Sequence, residues 1–212
     1  MHAATTESLI IVGATAAIAA VAHHRAGHVR WRPALFFSGA AAIGALAGTA
    51  LNRLVDPEAI LASFALLLLV AAVGVVQRGH SHTSSRPGHL LLRGALPVGF
   101  ATGALTGFYG VGGGFLIVPA LAVLLGAGFA EAIGTSLAVI ALTSTAALVA
   151  HLASGGIDWP VTASFTAAAV IGALAGTRAS ERVPVRQLRF GFATLLVGVA
   201  AFLLAKNAGR AF

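Results

Sequence analysis

The chain has 212 residues, 58% of them apolar and only 9% charged, where an ordinary soluble domain carries roughly 25% charged residues. So little charge excludes a soluble globular domain. The net charge of +7 has no interleaved aromatic platform, which points to membrane orientation rather than nucleic-acid binding. Cysteine is absent, so structural disulfides and thiolate metal or haem sites are excluded, and no cofactor is expected.

In chain order, the opening MHAATTESLIIVG has no basic n-region and no clear small-residue cleavage site, so no signal peptide is indicated. The apolar stretch that follows carries Ser8 and Thr15 and ends at His23, ahead of a basic loop with Arg25, Arg30 and Arg32. Residues 33–51, 59–76, 133–150, 161–177 and 188–205 are each close to the roughly 20 apolar residues that a helix needs to cross a bilayer. Trp31 and Trp159 precede two of these spans and read as interfacial anchors. His80 and His82 form an HxH within a loop rich in Ser, Gly and Arg, which reads as a solvated linker rather than a metal site.

Residues 107–119, GFYGVGGGFLIVP, interrupt this apolar pattern. Backbone groups inside a bilayer must be paired, so an unwound segment survives only where protein covers it or where it lines a water-filled cavity. Gly110, Gly112, Gly113 and Gly114 permit backbone angles closed to other residues and leave no side chain between the backbone and a ligand. A half-helix starting near Phe115 would turn its free N–H groups back into the break and place Pro119 in its first turn or just after it. Broken helices of this design form transporter sites. The competing reading is close helix packing through small residues.

The next helix begins with Gly134-Thr135-Ser136 and carries Thr143, Ser144 and Thr145 before His151. Thr135 and Ser136, beside the break, are candidate hydroxyl donors to an anion, with Ser8 as their counterpart in the first half; packing and back-bonding to the preceding turn are the alternative roles. Ser136 and His151 are 15 residues apart on one helix. That is about 22 Å at the helical rise, too far for a Ser–His hydrolase pair, so no catalytic residue is assigned and the protein is not expected to be an enzyme. His23 and His151 read as interfacial residues or C-terminal caps, with proton carriage as the alternative.

Laid on itself with an offset of 128, the chain matches IGALAGT at 43–49 with the identical IGALAGT at 171–177, and 21 of the 52 positions from 4 to 55 agree. His23 pairs with His151, Trp31 with Trp159 and Phe37 with Phe165. The chain therefore divides into a first repeat at 1–78, a basic connecting loop at 79–92 and a second repeat at 93–206. The glycine segment has no counterpart in the first repeat, which lacks its opening portion through truncation, a misassigned start or loss. If residues 93–128 fold into two short helices, the repeats are inverted and arginines and lysines divide ten to three between the two sides; if they cross once, the division is eight to five. The positive-inside rule favours inversion.

The run GFYGVGGGFLIVPALAVLLG followed by AIGTSLAVIALTS resembles the second-repeat signature of the sulfite exporter TauE/SafE family, and the first-repeat helices are similar as well. The resemblance implies an all-α polytopic permease of the cell (inner) membrane, moving small anions such as sulfite, sulfonates and related organosulfur compounds. It departs from the family in lacking the first-repeat glycine motif and in having Glu7 where Thr135 stands. The expected fold has about eight hydrophobic segments in two homologous, inverted repeats with a glycine-rich broken helix or hairpin. The expected partners are the lipid bilayer and a small anionic substrate, with no nucleic acid and no metal; a homo-oligomer stays open. The second function class is a truncated or degenerate membrane protein that does not transport.

Overall fold

The computed structural model describes residues 2–77, 88–110, 114–151 and 158–208. These form eight α-helices: α1 (His2–Arg25), α2 (Trp31–Asn52), α3 (Pro57–Gln77), α4 (Gly88–Tyr109), α5 (Gly114–Pro119), α6 (Phe129–His151), α7 (Trp159–Arg182) and α8 (Val185–Ala208). A π-helical stretch, Ala120–Leu124, continues α5. Among the described residues there is no strand. Gly112, Gly113, His80 and His82 lie outside the described residues.

Among the described residues, six helices are long and apolar enough to cross a membrane: α1, α2, α3, α6, α7 and α8. With α4 and the shorter apolar helix Phe115–Leu124 they make the eight expected segments. Many large apolar side chains face outward, among them Leu35, Ile43, Leu46, Leu66, Val70, Phe165 and Phe202, as a lipid-facing surface requires. The chain turns between these spans by ordinary local chemistry. Gly27, at φ 78°, reverses the chain after α1, whose last turn is basic and complements the helix dipole. Asp158 caps α7 by accepting the Val161 N–H, with Pro160 in the first turn where no N–H is needed.

The contacts fix the direction of each helix. Gly99, Gly103 and Gly107 of α4 lie against Phe37, Ala41 and Ala45 of α2, a constant offset of 62, so the two helices run parallel. Gly13 lies against Ser144 and Gly134 against His28 and His23, so α1 and α6 run antiparallel. One end of the bundle therefore gathers the loop 26–30, the start of α6 and the turn from α7 to α8. Leu125 against Gly94 and Val123 against Gly74 bring the start of α4 and the end of α3 to the same end. This basic end holds Arg25, Arg30, Arg32, Arg93, Arg178, Arg182, Arg186 and Arg189. The far end holds Arg53 and the last turn of α8 with Lys206.

The arms of the hairpin between α3 and α6 differ from expectation. The sequence suggests two short helices, but α4 is a full 22-residue helix with Pro97 inside it, and only the return arm is short. The glycines explain the difference. They are spaced by four residues and let α4 lie directly on the α2 backbone, where a Cβ at Gly44 or Gly48 would overlap the carbonyls of Phe100 and Ala104. Such close approach replaces hydrophobic driving force with van der Waals contact inside a bilayer. At the far end the Asn52 side-chain amide donates to the Phe108 carbonyl at 2.6 Å and fastens the pair.

Candidate functional site

The interruption begins where α4 stops. The Gly110 N–H donates to the Thr106 carbonyl at 2.9 Å, and Gly110 itself has φ 64°, the left-handed residue with which many helices end. The chain re-enters the bundle as α5 from Gly114. Phe115 stacks edge-on against Phe64 at 5.4 Å between ring centres, and Phe64 in turn meets Tyr109 at 4.9 Å. An aromatic cluster thus walls the re-entry point. Leu116, Ile117, Val118, Ala120 and Leu121 are all buried, which places α5 and its continuation in the bundle's core.

Pro119 is the sixth residue of α5, beyond the first turn, and supplies no N–H to the Phe115 carbonyl. The helix widens immediately after it: the Leu125 N–H reaches Ala120 at 3.2 Å and the Ala127 N–H reaches Leu121 at 3.0 Å. A π stretch of this kind is uncommon and often accompanies functional sites. The proline is its visible sequence signal.

Thr135 and Ser136 are both buried, but they lie at the basic end, near the loop 26–30, while Gly110 lies at the far end. The Thr135 hydroxyl accepts the Arg30 N–H at 3.2 Å at the start of α2, and the Ser136 hydroxyl donates to the Ile133 carbonyl at 2.7 Å. Ser8 is exposed on α1 near the far end. The structure therefore separates Thr135 and Ser136 from Gly110 by the length of the bundle and places Ser8 at the same end as Gly110.

The Thr135 contact has a partner that sequence reading missed. The Glu7 carboxylate accepts the Asp158 N–H at 3.0 Å, at the start of α7. Glu7 and Thr135 are 128 positions apart, and so are Arg30 and Asp158. Each helix start is thus held by a side chain from the opposite half of the chain, once at each end of the bundle. The mismatch of Glu7 with Thr135 in the alignment was the signal that could have found it, because both side chains supply an acceptor oxygen.

At the basic end a cavity of about 190 Å³ is lined by His23, His28, Phe129, Ile133, Thr177 and Ser180, among others. The His23 and His28 rings stand 6.2 Å apart. Beside them Arg30 pairs with Glu131 at 2.7 Å. The Thr177 and Ser180 hydroxyls donate to the carbonyls of Ala173 and Thr177, which leaves their oxygens as acceptors towards the cavity. Arg189 lies over the Phe129 ring at 5.9 Å and packs α8 against the start of α6.

Apolar helices of membrane-spanning length that enclose a short helix between them define a multi-pass α-helical membrane protein. The chain belongs to the sulfite exporter TauE/SafE family, whose family model matches residues 1–203. It is 31% identical over 210 residues to a "Probable membrane transporter protein" of Xylella fastidiosa, a match that covers 96% of this chain and 80% of that protein. It is also 22% identical over 191 residues to the "Probable membrane transporter protein YdhB" of Bacillus subtilis, covering 87% of this chain and 77% of the relative. No solved structure matches. The protein is a membrane transporter.

Proposed function

We propose that the protein carries small anions, sulfite, sulfonates or related organosulfur compounds, across the cell (inner) membrane, with its basic end in the cytoplasm. The observation that carries this reading is the glycine interruption between Gly110 and Gly114, which heads a short helix seated in the core of a bundle of this family. The stretch from 94 to 177 contains no Arg or Lys. An anion there would be held by backbone N–H groups uncovered by Gly112, Gly113 and Gly114, with Pro119 shaping the turn behind them. Binding without a buried cation is weak and reversible, which suits a carrier. Thr135 and Ser136 would act at the cytoplasmic mouth, where the arginines concentrate anions, and Ser8 towards the opposite face. Family membership supports transport over the alternative of a degenerate, non-transporting protein.

The test is flux of labelled sulfite and of an alkylsulfonate in proteoliposomes containing the purified chain. Saturable flux is expected, and Gly113→Val should abolish it while leaving the amount and melting temperature of the protein unchanged, because a branched side chain would fill the space the anion needs. Absence of flux for both substrates, or normal flux in Gly113→Val, would refute the assignment.

A further inference from the structure

We infer that the basic mouth between α7 and α8 is a binding site for phosphatidylglycerol, an anionic phospholipid whose headgroup carries hydroxyl donors. The inference starts from the way the last two helices part. α7 lies along α1 and α8 along α3, so the two diverge from the turn at 183–184 instead of packing on each other. The wedge between them is floored at the basic end by α6, whose Phe129 meets Phe192 of α8 at 6.2 Å between ring centres. Both bounding helices are largely lipid-facing, 6% of the α7 span and 17% of the α8 span being buried. The wedge is thus open to acyl chains.

The headgroup end of the wedge is charged and hollow. Residues 178–189 carry four arginines against one glutamate, and Arg178, Arg182 and Arg186 are exposed. The ion pair at this end joins Arg30 to Glu131 and uses none of them, while Glu7, Asp56 and Asp158 belong to the far end. A guanidinium fork matches a pair of phosphate oxygens. Beside these arginines the cavity of about 190 Å³ is lined by Thr177 and Ser180 of α7, Val183 of the turn, and Val185 and Leu188 of α8. The Thr177 and Ser180 hydroxyl hydrogens are committed to the carbonyls of Ala173 and Thr177. Their oxygens only accept, so they repel a bare phosphate and suit a headgroup that donates. The glycerol hydroxyls beyond the phosphate meet that requirement, whereas a choline headgroup brings neither net negative charge nor a donor. The apolar wedge next to the arginines selects a lipid over a free phosphate ester.

The test uses the delipidated full chain in detergent, with lipid binding read by native mass spectrometry and by melting temperature. Binding is read without transport, so its failure leaves the carrier assignment standing, and the reverse. Phosphatidylglycerol should bind more tightly than phosphatidic acid, and phosphatidylcholine should not compete. Arg182→Gln combined with Arg186→Gln should weaken phosphatidylglycerol binding roughly 25-fold, about fivefold for each arginine. Ser180→Ala should remove the preference over phosphatidic acid, and Arg53→Gln, at the far end, should change nothing. Equal binding of phosphatidylglycerol and phosphatidylcholine would overturn the inference, as would unchanged affinity in the double-arginine variant or a preference that survives Ser180→Ala. Displacement of the lipid by an equal concentration of soluble glycerol phosphate would also overturn it, in favour of a water-borne ester.

Discussion

Gly110 has open space around its Cα, so the only obstacle to a side chain there is its left-handed backbone, φ 64°. Gly110→Ala should therefore cost about 1–2 kcal/mol, read as a lower melting temperature in detergent. Gly48→Ala meets a different obstacle, the Ala104 carbonyl, and should cost about 1–3 kcal/mol through overpacking. Gly39, exposed on the same helix with nothing nearby, should gain about 0.5–1 kcal/mol on replacement by Ala. Equal effects at Gly39 and Gly48 would contradict the close α2–α4 crossing. The glycine pattern was legible in the sequence, and the division of labour among the glycines was not. Gly110 as a helix stop and Gly48 as a crossing point look alike until the neighbouring backbone is in place.

At the scale of elements, helix starts are held across the two halves. Thr135→Val removes the acceptor for the partly buried Arg30 N–H and should cost about 1–3 kcal/mol. Glu7→Ala exposes the Asp158 N–H to water, which can replace the carboxylate, so the loss should stay within about 1 kcal/mol. A larger effect at Glu7 than at Thr135 would show that burial does not set the difference. Glu131→Gln breaks the pair with Arg30, whose side chain is 45% exposed, and should cost no more than about 1 kcal/mol, fading in high salt. Melting temperatures at low and high salt check it. The span helices were readable from apolar length alone. The full length of α4 was not, because Pro97 and its many glycines argue locally against a long helix and only the α2 backbone beneath them argues for one.

At the scale of the molecule, α1 and α6 run antiparallel, and the arginines collect at one end. The antiparallel run of α1 and α6 is the relative direction that the charge count in the sequence favoured. The separation of Thr135 from Gly110 was not legible, because residues on either side of a returning hairpin arrive at opposite ends of the bundle. The claim on which the rest depends is that the starts of α2 and α7 face opposite sides of the membrane. Single cysteines at Arg30 and Asp158 in this cysteine-free chain, probed with an impermeant thiol reagent on intact cells and on inverted vesicles, test it most directly. Asp158→Cys should be labelled only on intact cells and Arg30→Cys only on inverted vesicles. Labelling of both from the same side would contradict it.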